Sequence, residues 1–329
     1  MRATVVIPTL NARQLLSEAL EHLDRQTVDH DVIVVDNGSA DGTADHLAEA
    51  FPRVRVVHLP ENVGFGRAVN RGLELVETDV VVLVNNDVLC RPDFLEQLLA
   101  PLSDEEVASV AGVLLQHDRP ELVDTAGIEL DTTLRSWDAL WNRPVTELDA
   151  AREPVGPCGG AAAFRTAALR EVGGFDESFF AYWEDVDLAL RLQLAGRRCV
   201  RAPAARALHK HGQTLGAASP MQRRLEAYGR AYVLARYRVA RRGLIMRVKI
   251  AVLDWPVLAV HLLVRREASP LRERWRGTRA GLRRPPLRAP LELATVSFRE
   301  ALSRQANLLR LRATGALPSH FDESSAQVK

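Results

Sequence analysis

Val80-Val81-Val82-Leu83-Val84-Asn85-Asn86-Asp87 changes character within a single residue step. Five consecutive apolar residues, four of them Val, read as a strand buried on both faces, and the run stops at three polar residues carrying one carboxylate. In open α/β sheets ligands bind beyond the carboxyl ends of the strands. A hard divalent cation and a phosphate ligand are therefore expected at Asp87. An ordinary Asn/Asp turn ends a strand in the same way, so this stretch alone leaves turn and metal site equally open.

The residues before it supply the rest of a sheet. Ala3 to Ile7 is a short β-branched run broken by Pro8, and Asn11 to Gln26 carries Leu15, Leu16, Ala19, Leu20 and Leu23 at helical spacing. A second strand at 31–35 ends in Asp36-Asn37-Gly38-Ser39, with a helix from Gly42 to Phe51. A third, Val54 to Leu59, is followed by Asn62-Val63-Gly64 and a helix from Phe65 to Val76. Three strand–helix units in succession predict a parallel sheet with right-handed crossovers. Asn11, Asp36, Asn62 and Asp87, each at or just past a strand end, are expected to line one edge of it.

Downstream, Phe94 to Leu102 reads as a helix and Val107 to Leu115 as a strand. Between Gln116 and Pro157 periodicity is weak, which suits a hairpin or a flexible segment over the sheet edge. Trp137 and Trp141 there either contact a ligand or pack the loop down. Gly159-Gly160-Ala161-Ala162-Ala163 is small enough to let another group approach its backbone. A helix from Thr166 ends at Gly173-Gly174. Next, Phe175, Phe179, Phe180, Tyr182 and Trp183 precede Glu184, Asp185 and Asp187, which crowd the first turn of a helix containing Leu188 and Leu192. Acids are favoured at any helix N-terminus. The aromatics add an apolar wall, in which a carboxylate becomes a stronger proton acceptor. After a strand at about Arg198 to Ala202, His209-Lys210-His211-Gly212 offers a neutral-imidazole metal ligand, with His209 and His211 both available.

Three widely spaced cysteines argue against a disulfide framework or a zinc site and point to a reducing compartment. The N-terminal apolar run is too short for a signal peptide. The net charge of +1 conceals an asymmetry: residues 1–218 hold 20 Lys+Arg against 34 Asp+Glu, whereas 219–329 hold 23 against 8. The asymmetry marks a boundary near Ser219-Pro220, after a first domain over 1–218. A basic helical tail over 219–329 follows, its last ten residues or so, 319–329, disordered. Within the tail, Leu244 to Val264 is the most apolar segment. About fifteen apolar residues at roughly −0.3 to −0.6 kcal/mol each nearly cancel the insertion penalties of Arg247, Lys249 and Asp254. Arg247, Asp254, His261 and Arg265 share one helical face, which favours an amphipathic helix, kinked at Pro256, lying in a membrane interface or docked on the protein. Arg272, Arg274, Arg276, Arg283 and Arg284 would meet anionic headgroups.

Pro8-Thr9-Leu10-Asn11, Asp36 to Thr43, Asn62 to Phe65, Asn85-Asn86-Asp87, Phe179 to Arg191 and His209 together resemble, in order and spacing over about residues 3–215, the family 2 inverting glycosyltransferases of GT-A fold. The likeness is greatest to bacterial rhamnosyltransferase-like members, in which Asn-Asn-Asp replaces Asp-X-Asp. The resemblance implies an α/β fold with a mostly parallel central sheet flanked by helices, a catalytic domain over 1–218 with a donor half of about 1–115 and an acceptor half of about 116–218, and a hexosyltransferase using Mg2+ or Mn2+ held by Asp87 and His209. It places Pro8, Thr9, Asn11, Asp36, Asn37, Ser39, Asn62, Gly64, Arg67, Asn85 and Asn86 on the donor nucleotide, and Gly159, Gly160 and Trp183 on the acceptor side. It makes Asp185 the catalytic base, with Glu184 as the fallback and Asp187 as an orienting group. The implied substrates are a dTDP- or UDP-sugar, rhamnose among the candidates, and a cell-surface glycan or lipid-linked glycan precursor. The implied location is the cytoplasm, peripheral at the inner face of the cell membrane. A nucleotidyltransferase is the alternative within a similar fold, but Pro8-Thr9-Leu10-Asn11-Ala12 lacks the Gly-rich basic loop it needs. A non-catalytic membrane or nucleic-acid adaptor working through the basic tail is the other; the acidic strand ends would repel a phosphate backbone.

Overall fold

The computed structural model describes residues 2–210 and 219–314. β1 (Ala3–Thr9), β2 (His30–Asp36), β3 (Arg55–His58) and β4 (Val80–Val84) run parallel in the order β3-β2-β1-β4. They are linked by α1 (Arg13–Leu23), α2 (Thr43–Ala50) and α3 (Phe65–Leu73). β4 is buried along its whole length, because its alternate residues enter two different cores: Val80, Val82 and Val84 pack with Leu16, Leu20 and Phe94, and Val81 and Leu83 with Val69, Phe164 and Leu188. An unbroken Val/Leu run satisfies both faces at once.

The sheet then continues through β5 (Val88–Cys90), α4 (Phe94–Leu99), β6 (Val107–Gln116) and β7 (Arg119–Thr125). β8 (Ile128–Leu130) and β9 (Ser136–Asp138) make a separate two-stranded ladder. β10 (Ala161–Arg165), α5 (Thr166–Glu171), α6 (Glu184–Leu194) and β11 (Arg198–His209) complete this part of the chain. The order is β3-β2-β1-β4-β10-β6-β11-β5, with β7 on β6.

Two local readings change. Ala161–Arg165 is no passive clearance: it is a buried central strand, antiparallel to both β4 and β6. Its three alanines enter the cores on both faces of the sheet, Ala161 and Ala163 one and Ala162 the other, and they carry no β-propensity that would announce a strand. β11 does not stop at Ala202 but reaches His209. Pro203 sits in the register shift between Arg201 and Arg206, where the ladder is interrupted and a missing N–H does no harm. The weakly patterned 116–157 stretch is ordered as β7, the β8–β9 ladder and a 3-10 turn at Val145–Ala150.

By packing, the described chain divides into two compact units, 2–128 with 138–210 and 129–137 with 219–314. The second contains α7 (Pro220–Arg236), α8 (Leu244–Ala259), α9 (Ser269–Arg283) and α10 (Phe298–Thr314). Ser219 caps α7, its hydroxyl accepting from the Gln222 N–H at 3.1 Å, with Pro220 at the first helical position. Pro256 lies inside α8, which passes into a π-helical turn at Val260–Val264. No helix among the described residues is long and apolar enough to cross a membrane. The three cysteines are unpaired and their thiols are raised by burial. His211 and residues 319–329, for which the sequence suggested a ligand and disorder, lie outside the described residues.

Candidate active site

The carboxyl ends of β1, β2 and β4 meet in one hydrogen-bonded array. Asp36, fully buried at the end of β2, accepts from the Ser39 N–H at 3.0 Å through Oδ1 and pairs through Oδ2 with His58 Nδ1 at 2.8 Å. The Asn37 N–H donates to the Thr9 carbonyl at 2.8 Å, and the Asn86 amide to the Thr9 hydroxyl at 2.9 Å, which ties β4 to β1. Asn37 Nδ2 donates to Asn62 Oδ1 at 3.0 Å, and its Oδ1 takes the Val63 N–H at 2.9 Å. Asn11, in the left-handed region at φ 48, offers its N–H to Ser39 Oγ and accepts from the Ala40 N–H. His58 was not singled out from sequence, although it stands opposite Asp36 in the β2–β3 register. Pro8 immediately precedes Thr9 at this edge; Arg67, by contrast, is exposed and ion-paired with Glu177 at 3.4 Å.

Pairing of β11 with β5 sets His209 opposite Val88, and so beside Asp87. Nε2 of His209 is 3.3 Å from Asp87 Oδ1, and Nδ1 is 2.6 Å from Asp124 Oδ2 on β7. Burial opposes a charge on this imidazole, but the hydrogen bonds and charges of Asp124 and Asp87 outweigh it and push its pKa up to about 10. With Nδ1 held by a carboxylate, Nε2 is the atom left to exchange its proton for a cation. Among the described residues no group of three or more His, Cys, Asp or Glu side chains surrounds such a position. One carboxylate and one imidazole fit a divalent ion that takes its remaining ligands from water and a phosphate group. Asp124 is a site residue that sequence reading missed, because nothing local in Leu122-Val123-Asp124-Thr125 distinguishes it from a surface acid.

The Gly159-Gly160 turn joins this end to the acids of α6. The Asn85 N–H donates to the Gly160 carbonyl at 3.3 Å, and a Cβ on Gly160 would stand 3.1 Å from Asn85 Nδ2. On the other side the Gly159 N–H reaches the Asp185 carboxylate, which also accepts from the Val186 N–H at 2.8 Å. Asp185 is half-buried; its pKa is raised by burial and held back by those two N–H groups. Glu184 is turned inward, 7% exposed, and its Oε2 has no hydrogen-bond partner among the described residues. Burial first, and the Asp185 charge second, push its pKa up to about 8. Asp187, fully buried, instead accepts from Arg191 Nε at 2.7 Å. Tyr182 and Trp183, consecutive residues at φ 65 and 77, form the strained entry to α6. The same loop contacts α3: Phe65 N–H donates to the Phe180 carbonyl at 2.7 Å, and Gly64, at φ +91, has no room for a Cβ, which would lie 2.3 Å from that oxygen.

A sheet of this order, with polar strand ends on one edge and paired acids at a helix start facing them, is the GT-A architecture of glycosyltransferases. The chain belongs to glycosyl transferase family 2, whose model matches residues 4–173. It is 33% identical over 209 residues to the N-acetylglucosaminyl-diphospho-decaprenol L-rhamnosyltransferase of Mycobacterium tuberculosis, covering 56% of this chain and 68% of the relative. It is 26% identical over 224 residues to the O-antigen chain rhamnosyltransferase RfbN of Salmonella typhimurium, covering 65% and 68%. Among solved structures, the mannosyltransferase PcManGT from Pyrobaculum calidifontis, in complex with GDP-Man and Mn2+, aligns with a TM-score of 0.53 at 19% identity, over 97% of this chain and 81% of that one. The protein is thus a rhamnosyltransferase-like, sugar-transferring enzyme, and the nucleotidyltransferase and adaptor alternatives fall away.

Proposed function

We propose that the chain is a metal-dependent, inverting glycosyltransferase that moves a sugar, rhamnose among the candidates, from a dTDP- or UDP-sugar to a hydroxyl of a cell-surface glycan or lipid-linked glycan precursor. The observation that carries this reading is the hydrogen-bonded path between the two chemical ends of the site. It runs from Asp87 and His209, through the backbone contact of Asn85 with Gly160, to Gly159 and Asp185. The solved mannosyltransferase complex with Mn2+ supports a divalent ion, and Asp87 and His209 are the residues that would hold Mg2+ or Mn2+. When bound, the ion neutralises charge on the leaving diphosphate.

The rest of the chemistry belongs to side chains of the chain itself. Thr9, Asn11, Asp36, Asn37, Ser39 and Asn62 form the donor-nucleotide edge, preorganised by their mutual hydrogen bonds. Asp185, the most accessible of the three α6 acids, takes the proton of the acceptor hydroxyl. As it does so, the hydroxyl oxygen bonds to the anomeric carbon, and the diphosphate departs from the opposite face with the bonding electron pair. Burial of Glu184 and the Asp185 charge beside it disfavour ionisation of Glu184, which limits a second negative charge next to the base.

The test is turnover by the purified full chain over a panel of nucleotide sugars, with and without divalent metal, and NMR assignment of the product anomer. Expected are metal-dependent transfer with inversion, loss of activity in Asp87→Ala, reduced activity in Asn86→Ala, and a fall of about 10²–10⁴ in Asp185→Asn. Metal-independent turnover, or full activity in Asp185→Asn, overturns the assignment.

A further inference from the structure

α8 is built inside out. Met246, Leu253, Asp254, Leu258 and His261 form its buried face, while Ile245, Val248, Val252 and Trp255, spaced i, i+3, i+7 and i+10, lie exposed on the opposite face. Ile245 is 76% exposed, Trp255 60%, and Leu263 in the following π-turn 79%. The polar stripe noted in the sequence explains the orientation. Asp254 is buried against Arg230, Arg274 and Arg135, so turning the apolar stripe inward would break this cluster. α9 packs on α7, is linked to α8 by the Arg274–Asp254 contact at 2.7 Å, and exposes Leu271, Trp275 and Leu282. Exposed apolar side chains in such numbers on neighbouring helices mark a docking surface.

Charge identifies what docks. Residues 238–283 hold twelve Lys and Arg against three Asp and Glu, and all three acids are engaged by arginines: Asp254 as above, Glu267 by Arg223 and Glu273 by Arg276. Exposed arginines border the apolar residues, Arg247 in the first turn of α8, Arg266 just past Val264, and Arg272, Arg276, Arg279 and Arg283 along α9. Aliphatic side chains with two exposed Trp, rimmed by cations, match the layered chemistry of an anionic lipid surface. We propose that this exposed face of α8 docks on anionic bilayers, with Ile245, Val248, Val252 and Trp255 entering the headgroup–acyl boundary and the arginines of α8 and α9 meeting phosphates. The docking goes beyond the transfer reaction and does not rest on it.

The experiment is sedimentation of the full chain, without any sugar donor, with vesicles of phosphatidylcholine alone or containing roughly one-third phosphatidylglycerol. The anionic vesicles should bind about tenfold more tightly, with the difference shrinking as salt rises. Ile245→Glu/Trp255→Glu, at two exposed positions, should lower that binding about tenfold while thermal unfolding stays in place. Unchanged vesicle binding by the variant overturns the proposal. So does a wild-type chain that ignores vesicles but self-associates in sedimentation velocity and is dispersed by the same substitutions, which would assign the face to a second copy.

Discussion

His209 sits between two carboxylates with opposite duties. Asp87 lies by Nε2, where the proposed cation would be held, and Asp124 holds Nδ1. Asp124→Asn keeps the size of the side chain but removes the charge that orients and polarises the imidazole. The expected result is a loss of roughly 10–100-fold in Mn2+ affinity, read as the metal concentration for half-maximal turnover, with kcat largely recovered at saturating metal. An unchanged metal titration would show that Asp124 is only packing. The other residue-scale prediction concerns Glu184. Its pKa of about 8 in the fold exceeds its ordinary value of 4.5, so between those pH values the folded state binds more protons than the unfolded one. Stability therefore declines as pH rises through that window. Glu184→Gln should flatten the dependence, bringing the urea midpoints at pH 5 and pH 8.5, as about the ends of the window, closer together than in the wild type. The positions of Asp87 and Asp185 were legible in the sequence, because Asp87 follows the valine run of β4 and Asp185 stands in the first turn of a helix marked by Leu188 and Leu192. Asp124 was not, since its partner lies 85 residues away across a strand pairing.

Elements were legible where one residue pattern served one environment. β4 is the clear case, and α1 follows from leucine spacing. β10 was hidden because its alanines sit in the two cores on opposite faces of the sheet, a placement that depends on the neighbouring elements and not on strand propensity. The second half of β11 was hidden by Pro203, which is harmless only because a bulge falls there. The junction of α3 with the aromatic loop before α6 depends on such a fit and can be tested by adding one methyl group. Gly64→Ala meets both a left-handed backbone and the Phe180 carbonyl at 2.3 Å, so the loop that leads through Trp183 into Glu184 and Asp185 of α6 must move. A loss of about 1–3 kcal/mol in stability, with a larger proportional loss of turnover, is expected. Gly173→Ala is the control: φ is +80 but nothing lies within 4 Å, so it should lose about 1 kcal/mol and keep its turnover. Equal turnover in the two variants would refute the coupling of α3 to the acids.

For the chain as a whole, composition reported an acidic part and a basic part, but it did not reveal that 129–137 packs with the C-terminal helices. The reason is a buried polar lock between segments about a hundred residues apart. Asp131 folds its own loop by accepting from the N–H and hydroxyl of Thr133, both at 2.7 Å, and Arg230 donates to the Thr133 carbonyl and hydroxyl, both at 2.9 Å. Arg230, Arg274 and Arg135 then converge on Asp254. Burial opposes the charge of Asp254, but the three guanidinium groups prevail and hold its carboxyl below the usual range. A depressed carboxyl contributes stability that is present above its unfolded pKa of 3.8 and is lost as pH falls through the lower folded value. Asp254→Asn leaves three arginines gathered without a counter-charge, and should destabilise the helical unit by about 3–5 kcal/mol. Asp254→Leu combined with Arg230→Met removes charge from both sides and should recover a good part of that loss, since a buried pair replaced by apolar groups is often nearly neutral. Urea unfolding monitored at the helical signal separates the two outcomes. If the double variant is as unstable as the sum of its parts, the lock is a set of independent contacts and the placement of 129–137 must rest on the packing of Trp137 with Leu253, Val296 and Ala301.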